Sequence, residues 1–202
     1  RSKQANKEKA RWSLSDWLDT RDKMRMQDVW LSLHSPSPYE FYVDATYKSG
    51  TMQMGGGYQG WDFTAAGYAQ MFGVEAQYQG SNLENRWLAM ANFRLVGLYN
   101  QATNFTLQGG VKEETRAGSQ LWNPLIGANL TVYLINQVGI TGLYRHYFAS
   151  SQGVTQNGDR FEAGAFIDFK MLRIHADFLV ETAVLDPSRS FGGFQLGARV
   201  YF

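Results

Sequence analysis

The 202-residue chain has no cysteine, which removes both a disulfide framework and a thiolate metal site. Charge of one sign is not in excess either. Nineteen Lys and Arg against 18 Asp and Glu leave a net +1, and with it no electrostatic ground for a nucleic-acid partner. No segment approaches the roughly 18 consecutive apolar residues of a membrane-spanning helix. Strands that cross a bilayer leave no such run, because their apolar residues alternate with polar ones. Proline is scarce, at four residues, whereas aromatics (13 Phe, 11 Tyr, 6 Trp) and 21 Gly are abundant. The length suits one domain. The chain opens on Arg1 without an initiator Met or a signal-peptide apolar core, so a mature or trimmed form is expected.

Residues 1–12 read as a flexible basic arm, with Arg1, Lys3, Lys7, Lys9 and Arg11 against Glu8. Residues 13–38 read as an amphipathic helix and a Pro-rich break. Ser13 is a suitable N-cap, and Leu14, Trp17, Leu18, Met24 and Trp30 supply an interfacial apolar set. Ser35-Pro36-Ser37-Pro38 ends it. Such a helix is expected in the headgroup region on the periplasmic side, or packed on a barrel rim.

From Tyr39 to Phe202 the apolar period becomes two, which predicts strands. Phe161, Ala163, Ala165, Ile167 and Phe169 oppose Glu162, Gly164, Asp168 and Lys170. Ile174, Ala176, Phe178 and Val180 likewise oppose Arg173, His175, Asp177 and Glu181. A third strand is read over 65–79, with Tyr68, Phe72, Val74, Ala76 and Tyr78 on one side. Turns are read at Ser49-Gly50, 99–103, 136–137 and 171–172, and longer loops at 115–124, 150–160 and 184–192. About ten strands emerge, which places both termini at one end. Eight is the alternative, because Ser49-Gly50 is short for an outer loop.

Alternation alone does not say which face is wet. A soluble calyx turns its apolar face inward; a membrane barrel turns it outward. The polar face carries Glu40, Asp44, Glu75, Glu114, Glu162, Asp168, Asp177 and Glu181. It also carries Lys48, Arg86, Arg94, Lys112, Arg145, Lys170, Arg173 and Arg199. Acids and bases in equal number can neutralise one another inside a barrel, where an unpaired charge is not tolerated. Tyr39, Trp61, Trp87, Trp122, Phe161 and Phe202, near strand ends, suit two interfacial girdles. The expected fold is therefore all-β: a closed antiparallel transmembrane barrel over 39–202 with an ion network along its axis.

The last strand, Phe194 to Phe202, alternates strictly and stops on an aromatic residue. Its Gln195, Gly197, Val200 and Phe202 match a terminal insertion signal of polar residue, Gly, apolar residue and final aromatic. In this the chain resembles the small outer-membrane β-barrels of Gram-negative bacteria. That resemblance implies outer-membrane localisation, with the bilayer, lipopolysaccharide and the barrel-insertion machinery as partners. The layout of a helix, then Pro38-Tyr39-Glu40-Phe41-Tyr42-Val43, then Gly55-Gly56-Gly57-Tyr58, also resembles the start of the lipid A palmitoyltransferase barrel. That enzyme family uses a histidine near the outer end of its first strand; here Tyr47-Lys48-Ser49 stands there instead, so its catalysis is not carried over.

Among the three histidines, His34 precedes the Pro-rich break and His175 faces inward in the ion network. His146 lies near Ser150 and Ser151, and Glu162 is a candidate acid on the next strand, but a triad needs them within hydrogen-bond reach. No metal cluster or cofactor motif is present, and no enzymatic activity is expected. Small outward residues (Ala89 with Ala91, Ala163 with Ala165) suggest smooth patches, and Gln70 a polar break in the apolar face. A homo-oligomer ordering or enclosing lipid between protomers is expected. The alternatives are a narrow channel for ions or small solutes and a lipid-modifying enzyme.

Overall fold

The computed structural model describes residues 22, 37–82, 85–116, 119–149, 157–183 and 190–202, with side chains 114–116 and 119–121 excepted. The expected helix, with Leu14, Trp17, Leu18, Met24 and Trp30, lies outside these residues, as does the basic arm. The described residues form ten strands: β1 (Tyr39–Met52), β2 (Gly57–Ala69), β3 (Phe72–Ser81), β4 (Asn85–Val96), β5 (Asn104–Arg116), β6 (Ser119–Tyr133), β7 (Val138–Tyr147), β8 (Gly158–Phe169), β9 (Leu172–Ala183) and β10 (Phe191–Tyr201). Each pairs antiparallel with the next, and β10 returns to β1 to close the barrel. The seam runs in continuous register from Tyr42 opposite Tyr201 to Met52 opposite Phe191. Closure leaves no edge strand with unpaired backbone groups, which a bilayer would not tolerate.

Ten strands return the chain to the end at which it entered, so Tyr39 and Phe202 share one end, called here the terminal end. Several connections differ from the sequence reading. Ser49 and Gly50 lie inside β1, which runs on to Met52, so the first far-end connection is 53–56. β5 and β6 form one long hairpin, and the loop expected at 115–124 shrinks to 117–118. Residues 65–69 belong to β2, and Tyr68 points into the lumen, buried, instead of sharing a face with Phe72. Gln70 is the first residue of the two-residue turn after β2, with φ 55°, and so is no break in the wall.

The wall is inverted relative to a soluble protein. Phe63, Val74, Leu107, Ile126, Ile140, Ile174, Phe178 and Leu196 are all exposed around the circumference. Lys48, Asp62, Arg94, Arg160, Asp177 and Glu181 are buried inside it. Alternation makes this possible, because successive side chains of a strand leave opposite faces of the sheet. Aromatic side chains mark both ends of the apolar band. Toward the far end, Tyr47 packs on Trp61 and Tyr78 on Trp87, each pair with ring centroids 4.8 Å apart. At the terminal end Phe72 meets Phe93 at 5.1 Å, with Phe41, Phe169 and Phe202 exposed nearby. Two such girdles are where amphipathic and aromatic rings settle in a bilayer.

Candidate functional site

The lumen is layered. At the terminal end Arg94 is fully buried, its guanidinium 4.1 Å from the Tyr68 ring centroid and 2.9 Å from the Glu40 carboxylate. Glu40 in turn accepts the backbone N–H of Asn100 at 3.0 Å. Arg173 lies 3.9 Å from the Phe166 ring, donates to Asp168 at 2.7 Å, and donates to the Asn100 carbonyl at 3.3 Å. The connection between β4 and β5 is therefore strapped across this mouth by its Asn100, held through both backbone groups. Arg94 also donates to the carbonyls of Gln70 and Leu98.

The middle layer is ionic. Arg199 donates to Asp44 at 2.7 Å, and His175 stands between Asp44 (Nε2, 3.3 Å) and Asp177 (Nδ1, 2.7 Å). Gln195 reaches Glu162 at 2.8 Å and Asp177 at 3.2 Å. On the opposite side Arg145 spreads over Glu75 (3.1 Å), Gln77 (2.7 Å) and Gln108 (2.9 Å). Above these, Arg160 contacts Asp62 at 3.1 Å, Glu181 at 3.6 Å and Glu162. Lys48 also pairs with Asp62, and Arg86 with Glu181.

Apolar side chains occupy the lumen toward the far end. Leu88, Met90, Leu125 and Tyr147 form one buried group. Tyr58, stacked on Phe191 at 3.8 Å, forms another with Leu179. Lys112 lies 4.6 Å from the Tyr147 ring. The open space left between the layers is an internal cavity of about 100 Å³, bordered by Asp44, Glu75, Asp177 and Arg145. It has room for a few waters and a polar lining to hold them.

Of the residues expected in the ion network, Glu40, Asp44, Glu75, Arg94, Lys112, Arg145, Asp168, Arg173, His175, Asp177, Glu181 and Arg199 all face the lumen. Lys170 does not. β8 ends at Phe169, and Lys170 opens a two-residue turn at φ 55° with its side chain exposed to solvent. Glu114 is outside the described side chains. Asp62 and Arg160 are absent from the expected set, because Asp62 precedes the strand read from residue 65 and Arg160 falls in the loop read over 150–160, whereas β2 and β8 contain them. The alternation Tyr58, Gly60, Asp62, Thr64 and the pair Arg160, Glu162 were the signals available.

Of the terminal motif, Gln195 and Gly197 face inward, and Val200 and Phe202 face outward. A Cβ at position 197 would lie 2.3 Å from His175 Nε2 and 2.5 Å from Thr46 Oγ1, so the glycine is the space into which that histidine packs. His146 is not brought to Glu162. It faces outward, 2.8 Å from Asp159, whereas Glu162 accepts from Arg160 inside; Ser150 and Ser151 are outside the described residues. Among the described residues no group of three or more His, Cys, Asp or Glu is placed to hold a metal ion.

The outer wall over β1 to β5 carries an open recess of about 810 Å³. Its floor is made by Ala65, Gly67, Ala76, Ala89, Ala91 and Gly109, and Phe41 and Phe202 stand at its margin. Removing side chain from the outward positions of four adjacent strands lowers the wall there relative to the phenylalanines around it.

An apolar circumference, two aromatic girdles and a self-neutralised ionic axis define a small outer-membrane β-barrel. Solved structures of similar architecture include the translocator domain of autotransporter NalP from Neisseria meningitidis, at 12% identity and TM-score 0.42, with 91% of this chain and 98% of that one covered. A KdgM porin matches at 13% identity and TM-score 0.43, over 80% of this chain and 99% of that one. A NanC porin matches at 10% identity and TM-score 0.40, over 79% and 98%. Neither the protein-family models nor the curated proteins give a match to the sequence.

Proposed function

We propose that this barrel is a non-conducting, non-enzymatic element of the outer membrane that works through its lipid-facing wall. The observation that carries the reading is the filled lumen. Buried, mutually paired charges occupy the middle, a strapped connection covers one mouth, and apolar side chains crowd the other end. A transport path would have to break several buried pairs at once, each costly to separate. What remains available is the outer surface, with the bilayer and lipopolysaccharide as its partners and the insertion machinery acting during biogenesis. The smooth recess supports a homo-oligomer that orders or encloses lipid between protomers, since small residues allow close approach of membrane segments.

A narrow channel for ions or small solutes is the second reading, favoured by the polar cavity beside Asp44, Glu75 and Asp177. Planar-bilayer recording separates the two. The filled-lumen reading expects no unitary steps from the purified protein. Reproducible steps whose selectivity changes with Asp177→Asn would overturn it. Native mass spectrometry from mild detergent tests the oligomer, which a single monomer mass would remove.

A further inference from the structure

Connections at the terminal end are short, with one exception. Two residues join β2 to β3 and β8 to β9, four join β6 to β7, and seven (97–103) join β4 to β5. A register shift between Arg94 and Val96 marks a bulge at the end of β4, and Gly97 follows in the left-handed region at φ 77°. A Cβ there would lie 2.2 Å from the Thr103 carbonyl oxygen, so this turn requires glycine. Bulge and glycine together re-aim the chain across the mouth. The Asn104 side chain donates to the carbonyls of Tyr99 at 3.2 Å and Ala102 at 2.9 Å, which braces the loop from its own root.

The tip is held from elsewhere on the barrel. In the closed order β4 lies opposite β9, and β5 opposite β10. Asn100 N–H donates to both Glu40 oxygens of β1, at 3.0 and 3.2 Å, and its carbonyl accepts from Arg173 of β9 at 3.3 Å. Gln101 Nε2 donates to the Lys170 carbonyl in the turn between β8 and β9. Glu40 also holds Arg94, which donates to the Leu98 carbonyl, so one carboxylate ties both the tip of the loop and its base. With 17% of its side chain exposed, Glu40 is nearer water than Arg94, Arg173 or Asp168. Asn100 and Asn104 border the polar cavity, and Asn100 Nδ2 is buried there without a partner. The loop is thus the floor of that cavity. Its far end is closed differently. Leu88, Met90, Leu125 and Tyr147 stand on strands and cannot withdraw without breaking the ladder. A loop rooted at one edge and held by a few hydrogen bonds at the other opens at far less cost than the sheet.

We propose that residues 97–103 are a hinged lid, latched by Glu40, through which the lumen cavity exchanges water and small polar solutes with the terminal side alone. Released at Glu40, the loop swings about Gly97 and uncovers the cavity wall at Thr106, while the far-end packing stays shut. The chamber is blind. The lid adds a movement to the filled lumen and needs no path across the membrane.

The chain has no cysteine, so one introduced thiol reports access. Thr106→Cys puts it on the cavity wall, and Leu88→Cys puts it in the far-end apolar group as a reference. Each full-length variant, in lipid vesicles, is treated with 2-aminoethyl methanethiosulfonate, and modification is timed by mass spectrometry. Glu40→Gln should speed the reaction of Thr106→Cys about tenfold, the effect of losing one charge-assisted hydrogen bond at the low end of its range. It should leave Leu88→Cys at its original rate. Gly97→Ala, which denies the loop its closed turn, should act in the same way. Asn100→Ala keeps both backbone contacts of the tip and should change neither rate. A Thr106→Cys rate indifferent to Glu40→Gln and Gly97→Ala would overturn the lid. Equal acceleration at Leu88→Cys would overturn it too, since the whole barrel would then have loosened. A barrel that conducts in a bilayer yet shows the expected thiol rates refutes the non-conducting reading and leaves the lid standing; a silent barrel with indifferent rates does the reverse.

Discussion

Arg160 is the side chain on which the filled lumen depends most, and replacing it separates a packed interior from a wet one. It is 1% exposed and touches three carboxylates: Asp62, Glu162 and Glu181. In Arg160→Met, Asp62 keeps Lys48 and Glu181 keeps Arg86. Glu162, 13% exposed, keeps the amide of Gln195 and only the longer-range attraction of Lys48 and Arg145, so a half-buried carboxylate loses its paired cation. Breaking a buried pair from one side costs about 3–5 kcal/mol, whereas an exposed pair is worth ~1 kcal/mol or less. The loss is read from urea unfolding of the barrel in lipid vesicles, followed by tryptophan fluorescence. Adding Glu162→Gln removes the stranded charge, and the double variant should regain at least half of the lost stability, through the coupling expected of contacting residues. A loss below ~1 kcal/mol for Arg160→Met, or no recovery in the double variant, would mean that water already screens these groups and that the lumen is open.

Gly197→Ala should cost about 1–3 kcal/mol by overpacking against His175 and Thr46, and His175→Ala in the same chain should restore part of it, in the same unfolding assay. Single-tryptophan variants keeping Trp61, Trp87 or Trp122 should be quenched best by lipids brominated near the headgroup. A tryptophan placed by Phe178→Trp should be quenched best by bromines at the bilayer centre, and the opposite order would turn the wall inside out.

Much of the architecture was legible because a strand records its facing in every second residue. β9 and β10 could be read nearly whole, and with them the inward set from Arg173 to Glu181. Errors gathered where strands end. Alternation carried on past Phe169 puts Lys170 inside, yet the two-residue turn reverses the chain one residue earlier. Conversely, alternation that starts before Phe161 brings in Arg160, and that within Trp61-Asp62-Phe63 brings in Asp62. Strand length is set by pairing with the neighbouring strand, and that information is not local.

The sequence alone determined the barrel class, its inward and outward faces and the balance of charge along its axis. Side-chain period and composition act residue by residue, so they survive without coordinates. Only the tertiary structure decided who meets whom. Arg94 and Glu40 are 54 positions apart and Asp44 and Arg199 are 155 apart, and they become partners only when the sheet closes on itself. Closure also set the strap at Asn100 and the recess across four strands. It likewise turned His146 toward Asp159 on the outer wall, away from the acid first assigned to it. Each depends on the register between strands, which period two leaves free by any even shift.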